Sequence, residues 1–385
     1  MKNIYLLLSL LLSVSTFGQN QTEYSVIDSQ ISKIPNSLTY STTEIAKYIN
    51  SNFSTDNDKI RAIFYWTAAN ISYDINNRFV SNSRETLENK IKNILKTRKG
   101  VCSDYTEIFK DLATKVGIKT VIVSGYTKQG GEIDTISHAW CASRINNSWY
   151  LFDPTWGAGF VNNGRFTKKI DNLYFKVNPS QAIASHIPFD YLWQFLNYPV
   201  TNQEFYQGKT QMNKTKKYFD FESEIAEYES LSEIDKLYDS AERIKKNGVE
   251  NNLISERLKN KENNISYLQQ KTNVEKLNSI AYDCNQAIHL LNDFINYRNK
   301  QFSPALPDNQ IIGMIDTPKQ KLIKCQNALY KIGYVGNENS SNIASLKKSI
   351  NNALSQTEEH LFFVQNYLSK NSIARRAMFT KTTWY

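Results

Sequence analysis

The stretch Thr97-Arg98-Lys99-Gly100-Val101-Cys102-Ser103-Asp104-Tyr105 constrains this chain more than any other. A glycine and a cysteine stand just ahead of a helix-like run, Ser103 to Val116, in which Ile108, Leu112 and Val116 form one apolar stripe and Gly117 ends the pattern. The thiol is therefore expected at a helix start. Unpaired backbone N–H groups and the positive end of the helix dipole favour thiolate there, and a thiolate is a strong nucleophile. Beyond the helix the pattern turns to strands. Ile118 to Tyr126 is β-rich, Gln129-Gly130-Gly131 makes a turn, and His138 to Arg144 and Ser148 to Asp153 are two further strand-like runs. Helix first and antiparallel strands after is an α+β order, not the alternation of a Rossmann unit. Gly130-Gly131 is no phosphate loop, because the lysine and the following helix are absent.

The last two strands place a base and a carboxylate near each other. They are separated by Ile145-Asn146-Asn147 and read as a hairpin. With a two-residue loop, facing positions have numbers with an odd sum, so His138 and Asp153 share a face. A loop at Ile145-Asn146 opposes them directly. A loop at Asn146-Asn147 makes them diagonal neighbours, still about 5–8 Å apart at the side-chain origins. Either spacing lets imidazole and carboxylate hydrogen-bond, which fixes the ring tautomer and supports a charged ring. Taken singly, each residue has a plain structural role: a cysteine at a helix start, a satisfied histidine in a strand, an aspartate before proline in a turn. Their order and shared geometry favour a Cys102–His138–Asp153 triad.

Further residues in the same order carry a family resemblance. Trp66 with Asn70-Ile71-Ser72-Tyr73-Asp74, Gly100-Val101-Cys102, Gly125-Tyr126, His138-Ala139-Trp140 and Asp153-Pro154-Thr155-Trp156-Gly157 follow one another. His186-Ile187-Pro188-Phe189-Asp190 and Trp193-Gln194 come later. Together they resemble the transglutaminase-like superfamily, in particular its bacterial branch akin to the kyphoscoliosis-type peptidases, over roughly Ile27 to Pro199. The resemblance implies a papain-like fold with Cys102 as nucleophile, His138 as base and Asp153 as its orienter. It also places the helix of Trp66 beside the nucleophile helix, so Trp66, Trp140 and Trp156 are expected as walls of the substrate site. The default role of such a tryptophan is a large core aromatic. Hydrolysis of a peptide or protein amide is favoured over transamidation, since no calcium site of the animal enzymes and no dedicated amine pocket is legible. The contrasting expectation is a binding or scaffold protein that keeps the fold and makes contacts through its later helices.

The remaining chain sets the context. A short start, Met1-Lys2-Asn3, an apolar run from Leu6 to Val14 and the small-x-small pattern Thr16-Phe17-Gly18 read as a signal peptide over 1–18, hence a secreted or periplasmic protein. The apolar run is too short for a membrane anchor, and no later segment reads as a span. The formal charge is +9, or +8 once Lys2 is removed. The lysines are interleaved with acids, so solvated faces fit better than a nucleic-acid groove. Four cysteines and four histidines show no metal-ligand spacing, and no cofactor is expected. Cys141 falls out of phase with His138 and should face away from it as a buried small hydrophobe.

Residues 19–200 are thus expected to form the catalytic domain, 201–220 a linker and 221–385 an antiparallel helical bundle. Its helices are expected behind Ser230-Leu231-Ser232-Glu233, along Leu277 to Ile295, from Asp316-Thr317-Pro318 onward, and along Ile343 to Leu368. A partner could dock on that bundle. Cys284 and Cys325 lie on its apolar stripes; with Cys102 reduced and Cys141 buried on the far face of its strand they are the one pair open to a bridge, and buried free thiols explain the stripes equally well.

Overall fold

Apolar periodicity sets the first half of the fold. The computed structural model describes residues 23–77 and 85–379, so the expected signal peptide lies outside the described residues. Helix α1 is Ser25–Ile31, α2 Thr42–Asn52, α3 Asp56–Asn70, α4 Leu87–Thr97 and α5 Cys102–Lys115. Thr55 caps α3 by accepting the Asp58 N–H at 3.1 Å, as a threonine at that position should. A two-residue parallel pair, β1 (Ser72–Tyr73) and β2 (Lys99–Gly100), ties the end of α3 to the approach to α5. Ile45, Ile49, Ile60, Ile63, Phe64, Ile108, Phe109 and Leu112 pack these helices into one buried cluster.

A sheet follows the helices. Strand β3 (Thr120–Gln129) pairs antiparallel with β4 (Glu132–Ile133), β5 (His138–Ile145) and, later in the chain, β9 (His186–Pro188). Strand β6 (Ser148–Phe152) pairs with β5 in the register Ile145–Ser148 to Cys141–Phe152. That register puts Asn146-Asn147 in the loop, both at positive φ, 51° and 63°. The turn is the kind that matches strand twist, and asparagine tolerates it. His138 and Asp153 are therefore diagonal neighbours rather than directly opposed. A small hairpin, β7 (Gly159–Asn162) with β8 (Arg165–Lys168), and the short helix α6 (Pro179–Ala182) lie between β6 and β9. The antiparallel sheet packed on helices gives the expected α+β, transglutaminase-like core.

The division of the chain falls later than 220/221. Two compact units comprise residues Met1–Asn260 and Lys261–Tyr385. Segment 201–220 is not only linker: α7 (Asn202–Tyr206) starts at Thr201, which caps it. Helices α8 (Phe221–Ser230) and α9 (Glu233–Lys246) belong to the first unit because their side chains complete its core. Ile225 packs with Trp149 and Leu192, and Ile244 with Tyr126, Phe189 and Phe205. A buried ion pair adds to this. Arg243 Nε and Nη2 donate to Asp190 at 2.6 and 2.8 Å, and Ser240 Oγ donates to the same carboxylate at 2.6 Å.

The boundary falls within the long helix α10 (Asn252–Asn299). The second unit holds the rest of α10 with α11 (Asp308–Tyr330), α12 (Ser340–Leu368) and the short α13 (Ser372–Ala377). Helix α11 starts at Asp308, not at the expected Asp316, and carries Pro318 in its interior. The proline costs one backbone bond. However, Ile311, Ile315, Pro318, Leu322, Cys325 and Leu329 are buried along one stripe, and that burial keeps the helix continuous. All four cysteines are free, with Cys284 and Cys325 buried. Among the described residues no helix is long and apolar enough to cross a membrane.

Candidate functional site

Cys102 is the first residue of α5, and the turn before it is fixed by Asp104. One Asp104 oxygen accepts the Val101 N–H at 2.8 Å, and the other lies 3.0 Å from Lys90 Nζ on α4. Gly100 makes room for this: a Cβ there would sit 2.6 Å from the Asp104 Cβ. The helix is held at depth by Tyr105, whose buried hydroxyl donates to the Ile71 carbonyl at 2.7 Å. Cys102 is partly exposed, whereas the other three cysteines are buried. Cys141 faces α5, its thiol 3.6 Å from the Thr106 carbonyl, and burial pushes it well above the ordinary thiol range.

His138 opens β5 and pairs with Gly125 of β3. Cys102 stands close enough to the ring to help keep it protonated. The ring Nε2 lies 2.7 Å from Asp153 Oδ2. Asp153 sits one residue past β6. Its Oδ1 accepts the backbone N–H groups of Thr155 at 2.9 Å and Trp156 at 3.1 Å, so the Pro154 turn grips the carboxylate. The structure thus pairs His138 with Asp153, and Cys102 at the start of α5 is near enough to act on the charge of the ring.

The electrostatics follow from burial and pairing. Burial alone would lower His138, but the Asp153 charge, its hydrogen bond and the Cys102 group outweigh it and raise the ring to about 10. Burial would raise Asp153, yet the His138 charge and the hydrogen bonds from His138 and His186 hold it well below the usual carboxylate range. At neutral pH the pair is imidazolium and carboxylate.

Two of the three expected tryptophan walls are at the site. Trp156 stacks on His138 at 5.4 Å between ring centroids, and Trp140 at 6.1 Å. Trp66 is not shown against it. It carries the Arg98 guanidinium at 5.3 Å and lines a different cleft with Ile31, Tyr65 and Asn70, to which no triad residue contributes. The helix period explains this. Two residues along α3 turn the side chain about 200° around the axis. Phe64 is the one that faces the Asp153 turn: a Cβ on Gly157 would lie 2.4 Å from its ring.

Sequence reasoning gave no role to His186. Its Nε2 lies 3.2 Å from Asp153 Oδ2, and its Nδ1 lies 2.8 Å from Ser185 Oγ. No spacing announces it, because β9 brings it in by pairing Thr127 with His186. Gly125 permits the approach, since a Cβ there would lie 2.1 Å from the Ile187 carbonyl oxygen. Ligand atoms of His138, Asp153 and His186 lie within 4.8 Å of one another. Both ring nitrogens aim at a single carboxylate oxygen at hydrogen-bond distance, so a cation there would have to displace the proton that His138 shares with Asp153. The donor set fits a proton network better than a metal.

A helix with a cysteine at its start, laid on an antiparallel sheet that carries histidine and aspartate, is the arrangement of the transglutaminase-like class. Residues 43–154 match the model of the transglutaminase-like superfamily, and the chain therefore carries a domain of that superfamily. Human (Homo sapiens) kyphoscoliosis peptidase is 32% identical over 162 residues, 39% of this chain and 24% of the relative. Hillarin of Drosophila melanogaster is 24% identical over 183 residues, 42% of this chain and 22% of the relative. The chain spans about a quarter of the length of these curated relatives. A solved structure described as a TGase is 19% identical, covers 44% of this chain and 42% of its own, and has a TM-score of 0.24.

Proposed function

We propose that the protein is a cysteine enzyme that cleaves peptide or protein amides through Cys102, His138 and Asp153. One observation carries the proposal: a half-buried His138 ring 2.7 Å from a buried carboxylate, with the partly exposed thiol of a helix start beside it. With the thiol proton held on His138, the sulfur attacks the amide carbonyl carbon. The resulting oxyanion is met by the Cys102 backbone N–H at the α5 start. As the C–N bond breaks, His138 gives its proton to the leaving amine and a thioester remains. Neutral His138 then takes a proton from water, the hydroxide attacks the thioester, and the thiolate–imidazolium pair returns. An amine in place of water would give transamidation. Hydrolysis is the outcome we favour, since neither a calcium site of the animal enzymes nor a dedicated amine pocket is legible in the sequence. The leader-like residues 1–18 support secretion or periplasmic location. Turnover of a peptide library by the mature protein, with Cys102→Ala as control, tests the proposal. Release of free amine and acid supports hydrolysis, cross-linked product supports transamidation, and activity surviving in Cys102→Ala removes the assignment.

A further inference from the structure

His186 lies outside the segment that matches the family model, and no step above uses it. The residue is 5% exposed. A carboxylate only accepts, so the 3.2 Å contact requires the proton on His186 Nε2. Nδ1 is then an acceptor, and the Ser185 hydroxyl donates to it at 2.8 Å. The serine therefore sets the tautomer. Two rings share Asp153 Oδ2, but one carboxylate balances one positive charge. Burial holds His186 below the ordinary histidine range against the pull of Asp153, and the charge on His138 adds to that lowering. His186 is thus a neutral donor, and the imidazolium is His138.

The carboxylate needs such a donor. Its Oδ1 is fixed by two backbone N–H groups, while Oδ2 is fixed by the two rings. Beside it lies a pocket of about 160 Å³, lined by Asp153, Trp140, Tyr174, Ser185 and His186 among others. Without His186, Oδ2 is free to turn into that space or to take water there, and either change weakens its hold on His138.

We propose that His186 is a positioning residue: with its tautomer set by Ser185, it holds Asp153 Oδ2 against His138 and keeps the imidazolium in place for Cys102. The inference rests on the cysteine-enzyme reading above. Its test is the rate of Cys102 alkylation by iodoacetamide as a function of pH, read on the Cys102 peptide by mass spectrometry in the full-length protein. Wild type, His186→Gln, His186→Leu and Ser185→Ala are compared, with circular dichroism as the folding control. His186→Leu should lose about tenfold or more of the rate in the mildly acidic to neutral range, the equivalent of one pKa unit in His138. The rates should converge at alkaline pH, where any thiol ionises. His186→Gln keeps a donor and should stay within about threefold of wild type, with Ser185→Ala between the two. A packing role predicts that leucine does as well as glutamine, and that result overturns the inference. If His186→Leu does not fold, an unchanged profile in Ser185→Ala overturns it instead. Failure of wild-type Cys102 to react selectively would sink the enzyme assignment itself, a separate outcome.

Discussion

The two units bury different kinds of side chain. In the first, Arg61, Asp153, His186, Asp190, Gln194, Asn202, Ser240 and Arg243 lie in the interior, most of them in identified hydrogen bonds. In the second, Thr357 is the one buried polar or charged residue among the described residues, and the core is Leu277, Cys284, Phe294, Ile315, Leu322, Ile350 and their neighbours. An apolar core tolerates swaps that conserve volume, whereas a partnered buried charge does not tolerate loss of its partner. The proposed chemistry resides where burial strengthens charge interactions and removes freedom from the groups involved.

That contrast can be broken experimentally, beginning with the largest effect. Cys102→Ala should abolish turnover while the circular dichroism spectrum stays that of wild type; retained turnover would move the chemistry elsewhere. Next, Asp153→Asn should lower kcat/KM by about 10⁴-fold, the scale seen when an orienting carboxylate is neutralised. It should also move the alkaline limb of activity. His138 is protonated below about 10 because Asp153, with a further pull from Cys102, outweighs burial. With an amide there, burial prevails, the ring loses its proton at lower pH, and turnover that needs the imidazolium falls off earlier on the alkaline side. An unmoved alkaline limb would mean that another group sets it.

The third effect is on stability. Arg243→Met leaves Asp190 buried with Ser240 as its remaining side-chain donor and should cost the first unit about 3–5 kcal/mol in urea unfolding. Cys325→Val in the second unit should cost less than about 1.5 kcal/mol and leave Cys102 alkylation unchanged. Thiol titration of the denatured, unreduced protein should count four free thiols, as the structure has them, and a count of two would indicate a bridge.

Local geometry was legible and long-range geometry was not. The start of α5 at Cys102 follows from Gly100-Val101-Cys102 and the stripe behind it. The Asn146-Asn147 turn was one of two registers that parity allowed, and positive φ at both asparagines selects it. Trp66 was misplaced because a contact across α3 depends on its facing, which a motif does not give. His186 carries no legible role in the sequence because β9 and Gly125 bring it in across a long stretch of chain. The boundary at 220 looked natural from composition. However, Ile225, Ile244 and Arg243 find their partners in earlier elements, which no periodicity of α8 and α9 reveals. Pro318 was read as a helix start, where proline is at home, yet continuous burial of the Ile311 to Leu329 stripe outweighs its local preference.

The central claim is that Cys102 and His138 form one reactive pair. The most direct test is to count and time iodoacetamide adducts on the native protein near neutral pH, in wild type and in His138→Ala. Wild type should give a single fast adduct on Cys102 and none on Cys141, Cys284 or Cys325 until denaturation. In His138→Ala the Cys102 rate should drop by about a hundredfold or more. Equal rates with and without His138 would contradict that claim.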